Sequence, residues 1–476
     1  MNFNDMIFYH AVASPRKPAM AMVDRLVTYE MVAHGILCFA ARLERLQFPA
    51  GAVVAVEIEN PLRHVIAVSA LYRSGIISVS IDEIGSISAS GLSVATVLSE
   101  SSALEGSGFS ITLVDDDWFY GDQSVITAVS VQRFTNDDVC RIFMSSGTTG
   151  TQKPLAASTA MLQQRMYTRL LTSASTANDR VLVLPSLSSQ IGWTSVIGTF
   201  WCGGLACLAL IAEVALQTAG FLAATSIICT ANQLRDLVRI QEQAYVQYPS
   251  LQLVQTGGGF ISDQLMRKAQ TLLCNRILCR YGSTEAGVAA MAQGEALIGI
   301  TGAVGFVAPF ARIEIIEEDG KSGLGGGLLR ISTGAHYHPY HPGITEIRTS
   351  PEEWFYPGDI GKILPDGMLV ITGRATEVIN IGGAKISPTA IEQFLTGEPG
   401  LKDIAAVGVI GESGIEEVWL ALVGDETLNA DKLAERLLNS DDIYGTVKAK
   451  IVTLIPRNAA GKILRDDVRR LLTELI

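Results

Sequence analysis

Thr28 stands directly before YEMVAHGILCFAARLERL, where apolar residues recur every three or four positions, and this predicts a capped amphipathic helix. VVAVEI, PLRHVIAVSALYRSG and IISVSI then predict strand, helix, strand, an order that favours a largely parallel sheet covered by helices. From Ser86 to Ser110 the chain is Ser-rich and weakly patterned. The apolar run CRIFM leads straight into MSSGTTGTQKP (Met144 to Pro154), so that loop is expected at the end of a strand. Ser158 can cap a helix through TAMLQQRMYTRLL. Further alternation follows in VLVL, a helix near Trp193, LACLALI, SIICT, SLQLVQTGGGF and ILCRYGSTEAG, the last two being strands that run into glycines. Val196 to Ile211, the most apolar stretch, is too short for a usual spanning helix and is broken by Gly203-Gly204. It reads as buried helix, glycine stop, buried strand.

After Gly302 the texture changes. ARIEIIE, GGLLRIST and KILPDGMLVITG are short strand patterns divided by Gly, Pro and Asp-Gly turns, which predicts a β-rich subdomain. Beyond Gly373 come helix PTAIEQFL, strands AAVGVI and VWLALV, helix DKLAERLL and a last helix DDVRRLLTEL. The expected fold class is α/β with α+β: a large N-terminal domain over residues 1–373, with helix-flanked sheets and the β-rich part, and a small α+β domain over 374–476.

Bulk properties narrow the partners. A chain of 476 residues exceeds what one hydrophobic core usually holds. With 48% apolar and 18% charged residues it has material for large cores and no sign of disorder. The formal charge of −12 and the lack of a long Lys/Arg run argue against a nucleic-acid partner. Seven cysteines without a CxxC pair suit reduced, buried thiols in a cytoplasmic protein. MNFNDMIFYHAVASPRKPAM has an acid at Asp5 and no uninterrupted apolar core after a basic start, so neither a secretory signal nor an integral membrane protein is expected.

Five segments carry candidate chemistry. In SSGTTGTQKP, Gly147 and Gly150 let the backbone turn its N–H groups inward, Ser145, Ser146, Thr148 and Thr149 add donors, and Lys153 adds positive charge, a set suited to phosphate oxygens. The order is not GxxxxGK[ST], which removes a P-loop hydrolase. A nucleotide-consuming ligase, a non-catalytic nucleotide-binding module and an ordinary Ser/Gly-rich surface loop remain. YGSTEAG puts Thr284 and Glu285 after a strand, where a carboxylate could hold Mg²⁺ against phosphates; the same residues could equally start a helix capped by Ser283 or Thr284. YPGDIG offers Asp359 on a tight turn, able to accept two ribose hydroxyls, or a plain Gly-Asp turn. GRATEVINIGGAKISP follows with Arg374, and PRNAAGKILR presents Lys462 before the last helix.

Taken in order, MSSGTTGTQKP, the TGGG of Thr256 to Gly259, YGSTEAG, YPGDIG, Gly373-Arg374, GGAKISPTAIE and PRNAAGKILR resemble the signature series of the adenylate-forming superfamily of acyl-CoA synthetases, peptide-synthetase adenylation domains and beetle luciferase. The resemblance spans nearly the whole chain and is closest in pattern to the acyl-CoA synthetases. It implies a two-step ligase: a carboxylic acid and ATP give acyl-AMP and pyrophosphate, and a thiol then displaces AMP, with Mg²⁺ as cofactor and CoA as co-substrate. On this basis the opening loop grips the β and γ phosphates, Thr284 and Glu285 serve phosphate and metal, and Tyr281, Gly282 and Ser283 with Gly257, Gly258 and Gly259 line the nucleotide. Asp359 and Arg374 hold the ribose, and Lys462 bridges the attacking carboxylate and the α-phosphate. The small domain swings about a hinge, opening a thiol channel past Gly383. The hinge position, usually Asp or Lys in the family, is Thr376 with Glu377 beside it. Where the family commonly has Pro-Lys-Gly, this chain has Gln152-Lys153-Pro154.

Family pockets for α-amino acids usually place an Asp in the segment corresponding to LPSLSSQIGWTSVIG, and no Asp occurs between Arg180 and Arg235. An unpaired ammonium in an apolar pocket is costly, so a fatty or aryl monocarboxylic acid is expected instead, with Gln190, Trp193 and Thr256 as candidate pocket residues. No carrier domain follows the last helix, which points to CoA from outside as the acceptor, or second to a separate acyl or peptidyl carrier protein. A catalytically silent nucleotide-binding relative is the reading from another class. His336, His338 and His341 in HYHPYH could gather on a metal, but no Cys or acid lies in the run, so a structural role is expected.

Overall fold

The structure, a computed structural model, describes residues 4–104, 106–121, 134–145, 152–209, 211–316, 326–350, 352–381, 384–411, 416–439, 445–458 and 461–474, without the side chains of 384 and 385. Ser146, Gly147, Thr148, Thr149, Gly150 and Gly383 therefore lie outside the described residues.

Two sheets form the bulk of the molecule. One has seven strands with a parallel centre: Ile77–Ser80, Val53–Glu57, Thr96–Ser99 and Ile111–Leu113 run with Val139–Ser145, and Lys153–Ser158 pairs back antiparallel. The other has thirteen strands. Pro18–Met22, Leu205–Leu208, Arg180–Val183, Ser226–Thr230, Leu253–Gly257 and Ile277–Ser283 lie parallel, and antiparallel strands continue from the last of these.

Between the sheets lie the helices Tyr29–Leu46, Pro61–Arg73, Thr159–Ser173 and Gln190–Cys202, whose apolar faces share one core with Val54, Val56, Phe143, Val181, Val183 and Ile228. The predicted caps are present: Thr28 accepts from the Met31 N–H and Ser158 from the Met161 N–H. The stretch from Val196 onward is helix to Cys202, a left-handed Gly203, then a buried strand. Helices Ala212–Phe221, Ala231–Gln243 and Asp263–Leu272 cover the outer face of the larger sheet.

The expected β-rich segment is continuous with the larger sheet. Gly287–Gln293, Ala303–Val307, Met368–Arg374, Asp359–Ile363, Gly327–Ser332 and Arg312–Ile316 extend the thirteen-stranded sheet rather than closing on themselves. The edge of Ile277–Ser283 carries unpaired N–H and C=O groups that the following strand satisfies by folding straight back. The weakly patterned Ser86–Ser110 stretch also holds more than expected: Thr96–Ser99 is fully buried with neighbours on both sides, so its hydroxyls did not mark a loop.

After Arg374 the chain forms a hairpin, Ile379–Ile381 with Ala384–Ile386, and a three-stranded sheet of Leu401–Ile410, Glu416–Gly424 and Val447–Ile451 with its own cores against helices Pro388–Leu395, Ala430–Leu438 and Arg465–Glu474. Val447–Ile451 lies half exposed, and its mixed pattern gave no strand signal. All seven cysteines are free thiols, six of them buried. Among the described residues no helix is long and apolar enough to cross a membrane.

Candidate active site

TGGG and YGSTEAG sit at the C-terminal ends of two adjacent strands of the larger sheet. Leu253–Gly257 and Ile277–Ser283 run parallel and in register, bringing Gly257 beside Arg280 and leaving Gly258, Gly259 and the YGSTEAG turn at the strand ends, where open α/β sheets bind ligands. YGSTEAG is a hairpin and not a helix start: Ser283 pairs with Gly287, and the Ser283 hydroxyl accepts from the Ala286 N–H within the turn. Gly282 is required there, because a Cβ would lie 1.9 Å from the Gly287 carbonyl oxygen.

Asp359 is not on a tight turn. It opens a strand directly opposite Arg374, is 6% exposed, receives the Tyr281 hydroxyl at 2.5 Å and faces the Arg374 Nε at 3.1 Å. Burial and the adjacent Asp359 carboxylate push the Tyr281 phenol well above its ordinary range, so it stays protonated and donates. Tyr281, Asp359 and Arg374 thus form one connected polar group.

Sequence reasoning missed what holds Thr284 and Glu285. Arg165, buried on the helix between the sheets, donates through Nη1 to the Thr284 carbonyl at 2.7 Å, through Nη2 to the Glu285 carbonyl and through Nε to the Ala335 carbonyl at 2.9 Å. Its guanidinium lies 3.4 Å over the Tyr337 ring, which stacks on Phe143, and the Tyr337 N–H also donates to the Glu285 carbonyl. The backbone of the turn is thereby fixed while the Glu285 carboxylate accepts no hydrogen bond among the described residues. HYHPYH supplies this tie. His338 and Pro339 pair with the strand that begins at Lys153, and His336 accepts the Thr333 N–H. Burial and Arg165 push His336 down to about 4, keeping it neutral. No three His, Cys, Asp or Glu among the described residues gather on a metal site.

Ser145 and Lys153, at the two ends of the hydroxyl- and glycine-rich segment, are cross-strand partners; Ser145 is buried and Lys153 exposed. Of the candidate acid-pocket residues, Gln190 and Trp193 lie three residues apart on one helix and Thr256 lies on a strand of the larger sheet. Gln190 starts its helix beside Tyr337, and Thr256 is buried at the strand end. Trp193 is 1% exposed, with the Arg141 guanidinium 4.3 Å over its ring.

The small unit brings Lys462 to this group. Burial, and next the Arg374 charge, push its ammonium below the ordinary lysine range, while Glu285, Asp359 and Glu377 pull the other way. Its loop is pinned: the Lys462 N–H donates to Asn458 Oδ1, Arg457 reaches the Gly461 carbonyl at 2.9 Å and Asp403 at 2.7 Å, and Gly461 abuts Asn232 of the large unit. Thr376 is exposed between two anchors, Arg374 on Asp359 and Glu377 on Arg465.

The fold and this cluster define an AMP-binding type of protein. The profile of the family described as AMP-binding enzyme matches residues 7–329, and the chain belongs to that family. Solved structures agree on the fold: ATP-bound MatB from Rhodopseudomonas palustris superposes with a TM-score of 0.85 at 19% identity, covering 100% of both chains. O-succinylbenzoate CoA synthetase (MenE) from Bacillus subtilis with its acyl-adenylate gives 0.84 at 19% identity over 98% of this chain and 97% of that one. Among curated relatives, indoleacetate–CoA ligase of Aromatoleum aromaticum is 30% identical over 230 residues, 47% of this chain and 45% of that protein. The chain spans only 40 to 45% of the length of the first curated relatives it matches.

Proposed function

We propose that this chain is an ATP-dependent acid–thiol ligase with a large unit of residues 1–373 and a mobile unit of 374–476. The single observation that supports it most is Lys462 of the small unit facing Glu285, Asp359 and Arg374 of the large one. In the first step a carboxylate oxygen attacks the α-phosphorus of ATP and the bond to pyrophosphate breaks. Two anions must meet, and the Lys462 ammonium offsets charge where it accumulates. Asp359 accepts the ribose hydroxyls with Arg374 beside it, Tyr281 and Gly257–Gly259 flank the base, and Lys153 with residues 145–150 grips the outer phosphates.

The unengaged Glu285 carboxylate fits Mg²⁺, a hard cation that takes one or two protein oxygens and completes its shell with phosphates and water. Bound there, the ion neutralises phosphate charge. In the second step a thiol attacks the acyl carbon, AMP leaves with the bonding pair, and the thiol proton passes to solvent. Rotation at Thr376 withdraws Lys462 and opens the path past Gly383. CoA is the acceptor, in the cytoplasm; a separate carrier protein is the second reading, and curated relatives that are CoA ligases favour the first. Acid-dependent exchange of labelled pyrophosphate into ATP tests the reading: exchange that needs Lys462 supports it, and none across a wide acid panel sinks it.

A further inference from the structure

Four arginines reach into the layer between the two sheets, and none makes an ion pair among the described residues. Two are provided for. Arg165 has three carbonyls and a ring, as above, while Arg141 donates to Ser78, Ser80 and the Leu187 carbonyl between Phe143 and Trp193, although its buried Nε, like that of Arg280, has no hydrogen-bond partner among the described residues. Arg169 and Arg280 are not.

Arg280 stands one residue before Tyr281, on the sheet face that looks toward Thr159–Ser173; its neighbour Cys279 faces the outer core. Its Nη2 donates to the Thr172 hydroxyl at 3.2 Å and the Ser173 hydroxyl at 2.8 Å, and its buried Nε has no partner among the described residues. Those hydroxyls are neutral, with their own protons committed to the Thr168 and Arg169 carbonyls and to Gln255. Arg169 comes from the same helix, with its stem against Gly198 of Gln190–Cys202, and makes no hydrogen bond among the described residues. Both keep partial solvent contact and are not sealed in a core. Burial pushes Arg169 down to about 9, with repulsion from Arg280 adding to it, and burial pushes Arg280 down to about 10.

Two largely buried guanidiniums within reach of one helix end are costly unless an anion joins them. A bidentate carboxylate is the group their forks fit. We infer that Arg169 and Arg280 receive a second anionic group on the acid, so that the substrate is a dicarboxylic acid and not a plain fatty or aryl monoacid. This rests on the ligase reading, which puts the reacting carboxylate at Lys462 and the remainder of the acid between the sheets beyond Gly257.

Glutarate, adipate and terephthalate are compared with pentanoate, hexanoate and 4-methylbenzoate, in which a methyl replaces the second carboxylate. Pyrophosphate exchange and calorimetric binding without ATP are both read. Wild type should favour a diacid by roughly 10²-fold or more in kcat/KM, since a site built for a polar group strongly rejects the analogue that lacks it. Arg280→Met and Arg169→Met should bring that ratio toward one through KM, Arg280→Lys should retain part of it, and Arg169→Met should hold or raise Tm without ligand because it relieves repulsion. Equal or better use of all three monoacids by wild type overturns the inference, as does a diacid preference unchanged in both Met variants. Arg280-dependent diacid binding without any exchange leaves this anion site standing and removes the ligase reading; exchange with monoacids alone does the reverse.

Discussion

Arg165→Met keeps the stem and removes every donor. The Glu285 carbonyl retains the Tyr337 N–H at 2.8 Å, but the carbonyls of Thr284 and Ala335 lose the guanidinium at 2.7 and 2.9 Å. Each buried acceptor left bare costs about 1–3 kcal/mol. The contact over the Tyr337 ring adds about 2 kcal/mol for a desolvated pair. Against this, removing a buried cation with no carboxylate partner returns part of its desolvation penalty; burial already lowers the Arg165 pKa. A net loss of about 2–4 kcal/mol follows, and at about 2–4 °C per kcal/mol for a large domain Tm should fall by roughly 4–16 °C. Because the released carbonyls belong to the turn that carries Glu285, KM for Mg-ATP should rise at temperatures where the variant is still folded. Arg165→Lys should lie between, since one ammonium cannot span three carbonyls. Thermal unfolding and pyrophosphate exchange read the two effects. A Met variant with Tm within about 1 °C of wild type and an unchanged KM would refute the positioning role.

Lys462→Ala should lower acid-dependent pyrophosphate exchange by about 10²-fold or more while largely sparing reaction of supplied acyl-adenylate with CoA; equal losses in both half-reactions would count against a role confined to the first. The protonated form of Lys462 does the work, and its pKa is depressed, so kcat/KM should fall as pH rises through a value below the ordinary lysine range of about 10.4. Arg374→Gln removes the neighbouring like charge, which makes protonation easier and should shift that limb to higher pH, whatever the loss in amplitude; a limb that stays or moves down contradicts the assignment. Gly461 has φ of +81° and a Cβ there would lie 1.6 Å from Asn232 Nδ2, so Gly461→Ala should impair exchange by separating the small-unit loop from the large unit. Asn232→Ala in the same chain should restore most of it, apart from about 1 kcal/mol of backbone strain, and failure of that rescue would place the defect elsewhere.

Much of the local structure was legible along the chain because its causes are local. Thr28 and Ser158 cap helices through N–H groups three residues away, Gly203 ends a helix by a left-handed turn, and the parallel-sheet strands declare themselves as short apolar runs. The glycine, hydroxyl and carboxylate motifs at the strand ends were readable for the same reason. Each is contiguous, and a backbone that must approach another closely tolerates few residue types, as at Gly282.

Tertiary structure alone decided which of these groups act together. Asp359 read as a residue on a tight turn and instead opens a strand, buried between Tyr281 and Arg374, because antiparallel register joins two strands across a hairpin. Arg165, Arg169 and Arg280 drew no notice as isolated basic residues in helix and strand. Their meaning lies in what faces them: three carbonyls for Arg165, and neutral hydroxyls or no hydrogen-bond partner among the described residues for the other two. Hydrophobic periodicity reports which side of an element is buried but not which charge waits across the interface. Pairing between distant segments is set by how whole layers pack, and only the assembled sheets fix those distances.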